Sequence, residues 1–180
     1  MKKEIVIPID KVNRNALLMI IPLALFTGIP YTIIHGFTEV SLKIITINNL
    51  VSGVILTLLI FIAGAIVHEL LHGITWAVFA GWKSISFGIK WEYLTPYCHC
   101  SKALKKKYFV AGAVMPLLVL GIFPLVYSYI DGNFKIWFFG YFFTMAAFGD
   151  INALWALRKY PGNTIIEDHP TELGFFVKTE

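Results

Sequence analysis

His68-Glu69-Leu70-Leu71-His72 sets two imidazoles four residues apart, with a carboxylate next to the first. On a helix, positions i and i+4 share one face, so both rings can offer a nitrogen to a single Zn²⁺. Glu69 lies beside them, where it can take a proton from a water at the cation. The motif sits inside an apolar stretch running from about Leu50 to Phe79. A carboxylate at membrane depth costs about 2.5 kcal/mol or more, so an acid there is read as functional by default. The plainer alternative is a polar cluster that holds helices together.

A catalytic zinc site needs a third protein ligand and one open position. Asp150 is the only acidic residue within the fourth apolar segment, in Phe148-Gly149-Asp150-Ile151-Asn152. The second and fourth segments run the same way across a membrane if the spans alternate. His68, His72 and Asp150 then fall roughly 10–17 Å from the same boundary at 1.5 Å per residue. The depth match is independent of the motif. For Asp150 the competing role is a packing hydrogen bond, for instance to Asn152. Competing ligands lie near the C-terminus: Glu167, Asp168, His169 and Glu172.

The elements that must position these residues are apolar helices. Of the 180 residues, 57% are hydrophobic and 14% charged, and mean hydropathy is +0.71. A soluble domain carries nearer a quarter charged residues, so the composition is that of a membrane protein. Four segments can cover a ~30 Å hydrocarbon core: about 16–34, 50–79, 108–130 and 134–157. Pro22, Pro30, Pro116 and Pro124 lie within or at the ends of these spans, where neighbouring helices can tolerate them. The expected fold is all-α, one membrane domain of four spans, with a loop over 80–107, a tail over 158–180 and a small β element at one face. The first segment follows a basic N-terminus but shows no small-x-small cleavage site, so it is read as retained.

Thirteen of the 15 basic residues fall in the N-terminal arm, the 80–107 loop and the tail. Only Lys43 and Lys135 fall in the other two connections. The positive-inside bias places both termini and the long loop in the cytoplasm. The run from Lys102 to Lys107 is a headgroup anchor, and the net charge of +4 signals no nucleic-acid binding. The expected partners are the bilayer and a membrane-anchored substrate; the sequence does not set an oligomeric state.

From Ser84 to Trp91 apolar and polar residues alternate, which predicts a strand with Ile85, Phe87 and Ile89 on one face. Lys3 to Ile7 is a candidate second strand on the same side. A free strand edge accepts an extended peptide, which makes Ile85, Phe87 and Ile89 candidate substrate contacts; a capping sheet is the compatible alternative. Cys98 and Cys100 flank His99 at a spacing too short for an ordinary disulfide. A local turn is favoured there over a thiol-imidazole metal site.

The order of His68–His72, Ala80-Gly81-Trp82, an alternating strand and Ala111-Gly112-x-x-x-Pro116 resembles the site-2 protease class of intramembrane metalloproteases. In that class the third zinc ligand is an aspartate on a later span, a place Asp150 matches in order. The Asn-Pro and Asp-Gly surroundings of the class are absent. A closer resemblance is to a family of small four-span membrane proteins known as zincin peptidases. It rests on His68–His72, Gly149-Asp150-Ile151 and the tail Glu167-Asp168-His169-Pro170-Thr171-Glu172-Leu173-Gly174-Phe175. The resemblance implies a membrane zinc hydrolase. The expectation is a zinc peptidase with ligands His68, His72 and Asp150 and general base Glu69, cutting near the cytoplasmic leaflet. The alternative is a non-proteolytic zinc scaffold, regulator or transporter.

Overall fold

Apolar side chains are exposed along nearly the whole length of the longest helix of this protein, α2 (Ile47–Ala80). The computed structural model describes residues 2–36, 47–91 and 95–178. Lys43, one of the two basic residues expected on the outer side, lies outside the described residues. α1 (Ile9–His35) precedes α2. α3 (Lys106–Pro116) continues through a π-helical segment, Leu117–Ile122, into α4 (Phe123–Asp131). α5 (Phe134–Ala146) and α6 (Phe148–Leu157) complete the helices.

Three stretches are long and apolar enough to cross a membrane: Ile9–His35, Val51–Ala80 and Lys106–Asp131. Only 6% of the most apolar window of the second is buried among the described residues, an exposure suited to a bilayer. Helices of this length and composition mark a membrane protein. The expected fourth span, 134–157, is not one continuous helix. It breaks at Ala147 (φ −77°, ψ 8°) into helices of 13 and 10 residues. Ala147 is fully buried, and its backbone leaves the helical basin at the start of α6.

The β structure is larger than the sequence predicts. β1 (Lys2–Val6), β4 (Leu104–Lys105), β5 (Ile165–Asp168) and β6 (Gly174–Lys178) form an antiparallel sheet in the order β1-β6-β5-β4. The N-terminal strand therefore pairs with the tail and not with the alternating strand. That strand, β2 (Ile85–Lys90), pairs with β3 (Thr95–Cys100) as a separate hairpin. Cys98 and Cys100 thus lie on a strand and not in a local turn. Gly81, at φ 86°, closes α2 in a conformation that other residues rarely adopt, and starts the turn into β2.

The main core sits where the helix ends meet the four-stranded sheet. Trp76, Phe109, Leu157, Ile166, Phe175 and Val177 are buried together there. A smaller cluster of Tyr31, Leu125 and Trp137 packs elsewhere in the bundle. The chain is well packed around its polar motif, while much of the helical surface remains apolar and open.

Candidate metal centre

Two imidazole nitrogens on α2 and the carboxylate of Asp150 on α6 form a small triangle of side chains. His68 Nε2 and His72 Nε2 lie 3.2 Å apart. Asp150 places Oδ2 3.1 Å from His68 Nε2 and Oδ1 3.3 Å from His72 Nε2. The helical spacing of the motif brings the two rings together. The break at Ala147 begins α6 at Phe148, so Asp150 falls in the first helical turn. Free backbone N–H groups and the helix dipole favour an anion there. Asn152, the alternative partner for Asp150, instead accepts from Asn15 Nδ2 at 2.9 Å and donates to the Phe148 carbonyl.

The triangle fits zinc. In a tetrahedral site with bonds of ~2.0–2.1 Å, neighbouring ligand atoms lie about 3.3 Å apart. The three contacts, in which Asp150 turns a different oxygen to each ring, are within 0.2 Å of that distance. The tautomer of His72 also fits. Its Nδ1 lies 2.9 Å from the Gly112 carbonyl, which can only accept, so Nδ1 carries a proton and Nε2 is left for the cation.

The sequence contains the reason that this carbonyl is available. In an α-helix the Gly112 oxygen would accept from the N–H four residues later. That residue is Pro116, which has no N–H. Gly112 also has no side chain where α3 meets α2: a Cβ there would collide with the Trp76 indole. Trp76 stacks on the His72 ring at 5.2 Å and donates from Nε1 to the Phe109 carbonyl at 3.0 Å. His72 is thereby held on its face and at one nitrogen.

Glu69 is close to the two histidines: one ligand-type atom from each of the three lies within 4.8 Å of the others. Its carboxylate lies toward the Cys98 backbone N–H of β3. Glu69 and Asp150 are therefore alternatives for the third coordinating position. Asp150 presents one oxygen to each imidazole, while Glu69 is turned to the hairpin, so the geometry favours Asp150.

A cleft of about 480 Å³ opens onto the triangle. His68, Glu69, His72 and Asp150 line it, together with β3 residues Thr95 to His99 and the tail from Asp168 to Phe175. Ile85 and Phe87 do not. They pack over Gly73 of α2, where a Cβ would overlap the Phe87 ring. Ile89 is exposed. The candidate substrate strand thus contributes a brace against α2, and its partner β3 faces the cleft.

The tail residues are assigned to other work. His169 donates from Nε2 to Glu4 at 2.9 Å and accepts at Nδ1 from the Thr171 and Glu172 N–H groups. Asp168 Oδ2 accepts from His99 Nδ1 at 3.0 Å and from the Cys100 N–H at 3.1 Å. The Asp168 carboxylate raises the pKa of the His99 imidazole. Burial raises the pKa of the Cys98 and Cys100 thiols, which keeps them protonated. Lys178 and Lys2 flank Glu167 at 2.9 Å each and lower its pKa. Sequence reasoning missed the Gly112 carbonyl, the Cys98 N–H and the Asp168–His99 pair. Only the first left a trace, the Gly112-x-x-x-Pro116 spacing.

No curated protein and no solved structure matches the chain. A family model described as "Putative zincin peptidase" matches residues 59–165, a segment that holds the motif, the hairpin and Asp150. The match covers more than half of the sequence, and the chain belongs to the zincin peptidase family.

Proposed function

We propose that this protein is a zinc-dependent peptidase that hydrolyses a peptide bond of a membrane-anchored protein or peptide near the cytoplasmic leaflet. The observation that carries the reading is the His68–His72–Asp150 triangle, whose contact distances suit a tetrahedral zinc and which sits beside the Glu69 carboxylate. His68 and His72 would hold the metal through Nε2 and Asp150 through its carboxylate. Bound zinc supplies a Lewis acid that polarises the substrate carbonyl and acidifies water.

The remaining chemistry falls to the chain. Glu69 takes the proton from the attacking water and delivers it to the leaving amine. The Gly112 carbonyl and the Trp76 face keep His72 in one tautomer and one orientation. The hairpin and the tail wall the cleft and limit bulk water. β3 borders the cleft and would run beside a substrate held extended. Ile85, Phe87 and Ile89 would act on substrate through the placement of that hairpin. α5 and α6 together would make the fourth crossing, with both termini cytoplasmic, in keeping with the distribution of basic residues.

Glu69→Gln tests the reading. The variant should purify with one zinc per chain and lose turnover by about 10²–10⁴-fold. Accumulation of uncleaved membrane proteins in cells carrying each variant is the readout. Equal processing by wild type and Glu69→Gln would favour a structural zinc in a scaffold, regulator or transporter.

A further inference from the structure

His99 and Asp168 come from two sequence motifs that the metal centre leaves unused. The structure joins them on the wall of the same cleft. His99 lies on β3 directly after Cys98, whose N–H faces Glu69, and directly before Cys100, whose N–H holds Asp168. One strand therefore fixes Asp168 and the imidazole, and passes beside Glu69. The cleft, about 480 Å³, is of the order of 10 Å across if compact, so one bound peptide can touch both walls.

The hydrogen bonding separates His99 from the other cleft histidine. Both ring nitrogens of His169 are engaged, by Glu4 and by two backbone N–H groups. His99 uses only Nδ1, toward Asp168. Its Nε2 has no partner among the described residues, and the ring is about one-fifth exposed. A carboxylate at Nδ1 orients an imidazole and stabilises its charged form. In that charged form the free end is an N–H donor with a fixed direction.

We propose that His99, held by Asp168, is a further catalytic residue that donates a hydrogen bond from Nε2 to the scissile carbonyl oxygen as that oxygen becomes an oxyanion. As the water oxygen bonds to carbon, the C=O π pair moves onto the carbonyl oxygen. The Nε2 proton stays on nitrogen throughout. When the C–N bond breaks, the pair returns to re-form C=O, and the proton carried by Glu69 goes to the amine. A preformed donor aimed at developing charge acts on the transition state more than on the bound substrate. The inference rests on the peptidase reading of the site.

The test compares two probes on zinc-loaded, detergent-purified protein. One is a phosphinic tetrapeptide, whose tetrahedral anion replaces the scissile amide. The other is the same sequence with its amide, measured in the Glu69→Gln background to prevent cleavage. His99→Gln and His99→Asn should each weaken the phosphinic probe by about 10–100-fold and leave the amide probe nearly unchanged. Zinc per chain should stay at the wild-type value, which reports that the centre is folded.

The wild-type advantage should fade as pH rises through the His99 pKa, and Asp168→Asn should move that fading to lower pH. The charged groups that act on His99 are Asp168 and Glu167 on β5; Lys90, His68, Glu69, His72, Asp150, His169 and Glu172 line the same cleft. Their constant presence in both proteins cancels in the ratio of the two affinities. Equal affinity of wild type and both His99 variants for the phosphinic probe overturns the role of His99 and leaves the peptidase reading standing. Failure of zinc-loaded wild type to bind that probe overturns the peptidase reading and the inference with it.

Discussion

Pro116 and His72 meet at one oxygen atom. Pro116 lacks the N–H that would occupy the Gly112 carbonyl, and His72 Nδ1 takes that carbonyl at 2.9 Å. A proline that reads as a helix defect therefore sets the tautomer of a histidine in the candidate metal centre. Pro116→Ala restores a competing donor. Zinc affinity should fall by about 10–100-fold, the usual cost of losing a partner that orients a ligand, while far-UV helicity is kept. Competition titration with a chromophoric chelator measures it. Unchanged affinity in a helical variant would show that the freed carbonyl does not matter.

Asp150 and His169 separate two versions of the ligand set. His72→Ala should lose the metal, and Asp150→Asn should bind it much more weakly, since a charged ligand is gone. His169→Ala should keep one zinc per chain, because both its nitrogens already serve Glu4 and the tail backbone. Elemental analysis of the three purified variants decides the matter. Full zinc in Asp150→Asn with loss in His169→Ala would move the third ligand to the tail.

The two edges of the hairpin give opposite expectations. Cys98 and Cys100 direct their N–H groups to Glu69 and Asp168, away from β2. Their partners across the hairpin are Phe87 and Ile85, so the Phe87 N–H also points away from the ladder. Phe87→Pro and Ile89→Pro should thus keep the hairpin paired and keep zinc. Cleavage should persist if substrate lies on β3, and should fail if it adds to β2. Parallel metal and processing assays distinguish the two.

Labelling of engineered cysteines checks the membrane orientation in a cysteine-free background. A cysteine at Lys135, at the start of α5, should react from outside the cell, and one at Lys106, at the start of α3, only after permeabilisation. Reaction of both from one side would rule out the proposed topology.

Salt links in the sheet should contribute little but with a defined sign. Glu167 is flanked by Lys178 and Lys2, whose ammonium groups hold its carboxyl below the usual carboxylate range. A lowered carboxyl stabilises the folded sheet above its unfolded pKa, and the contribution is lost as pH falls through the folded value. Glu167→Gln should cost at most about 1 kcal/mol near neutral pH and nothing once Glu167 is protonated. Hydrogen exchange of β1 amides across an acid titration follows it.

The sequence by itself determined the solvent, the motif and the candidate third ligand. Apolar runs of spanning length declare a membrane protein because nothing else in so short a chain can cover them. His68 and His72 meet because helical periodicity is local. Asp150 stood out because an acid among apolar residues is costly. Tertiary structure decided what no local pattern encodes. The break at Ala147, the pairing of β1 with β6, and the contacts of Glu69 with Cys98 and His99 with Asp168 join residues far apart in sequence. Period-two alternation identified a strand at Ile85–Lys90, but it could not say which face meets α2 or which of two strands borders the cleft. Those choices depend on where Gly73 leaves room for Phe87 and where the tail returns across the site. Close packing sets them, and packing is a property of the assembled chain.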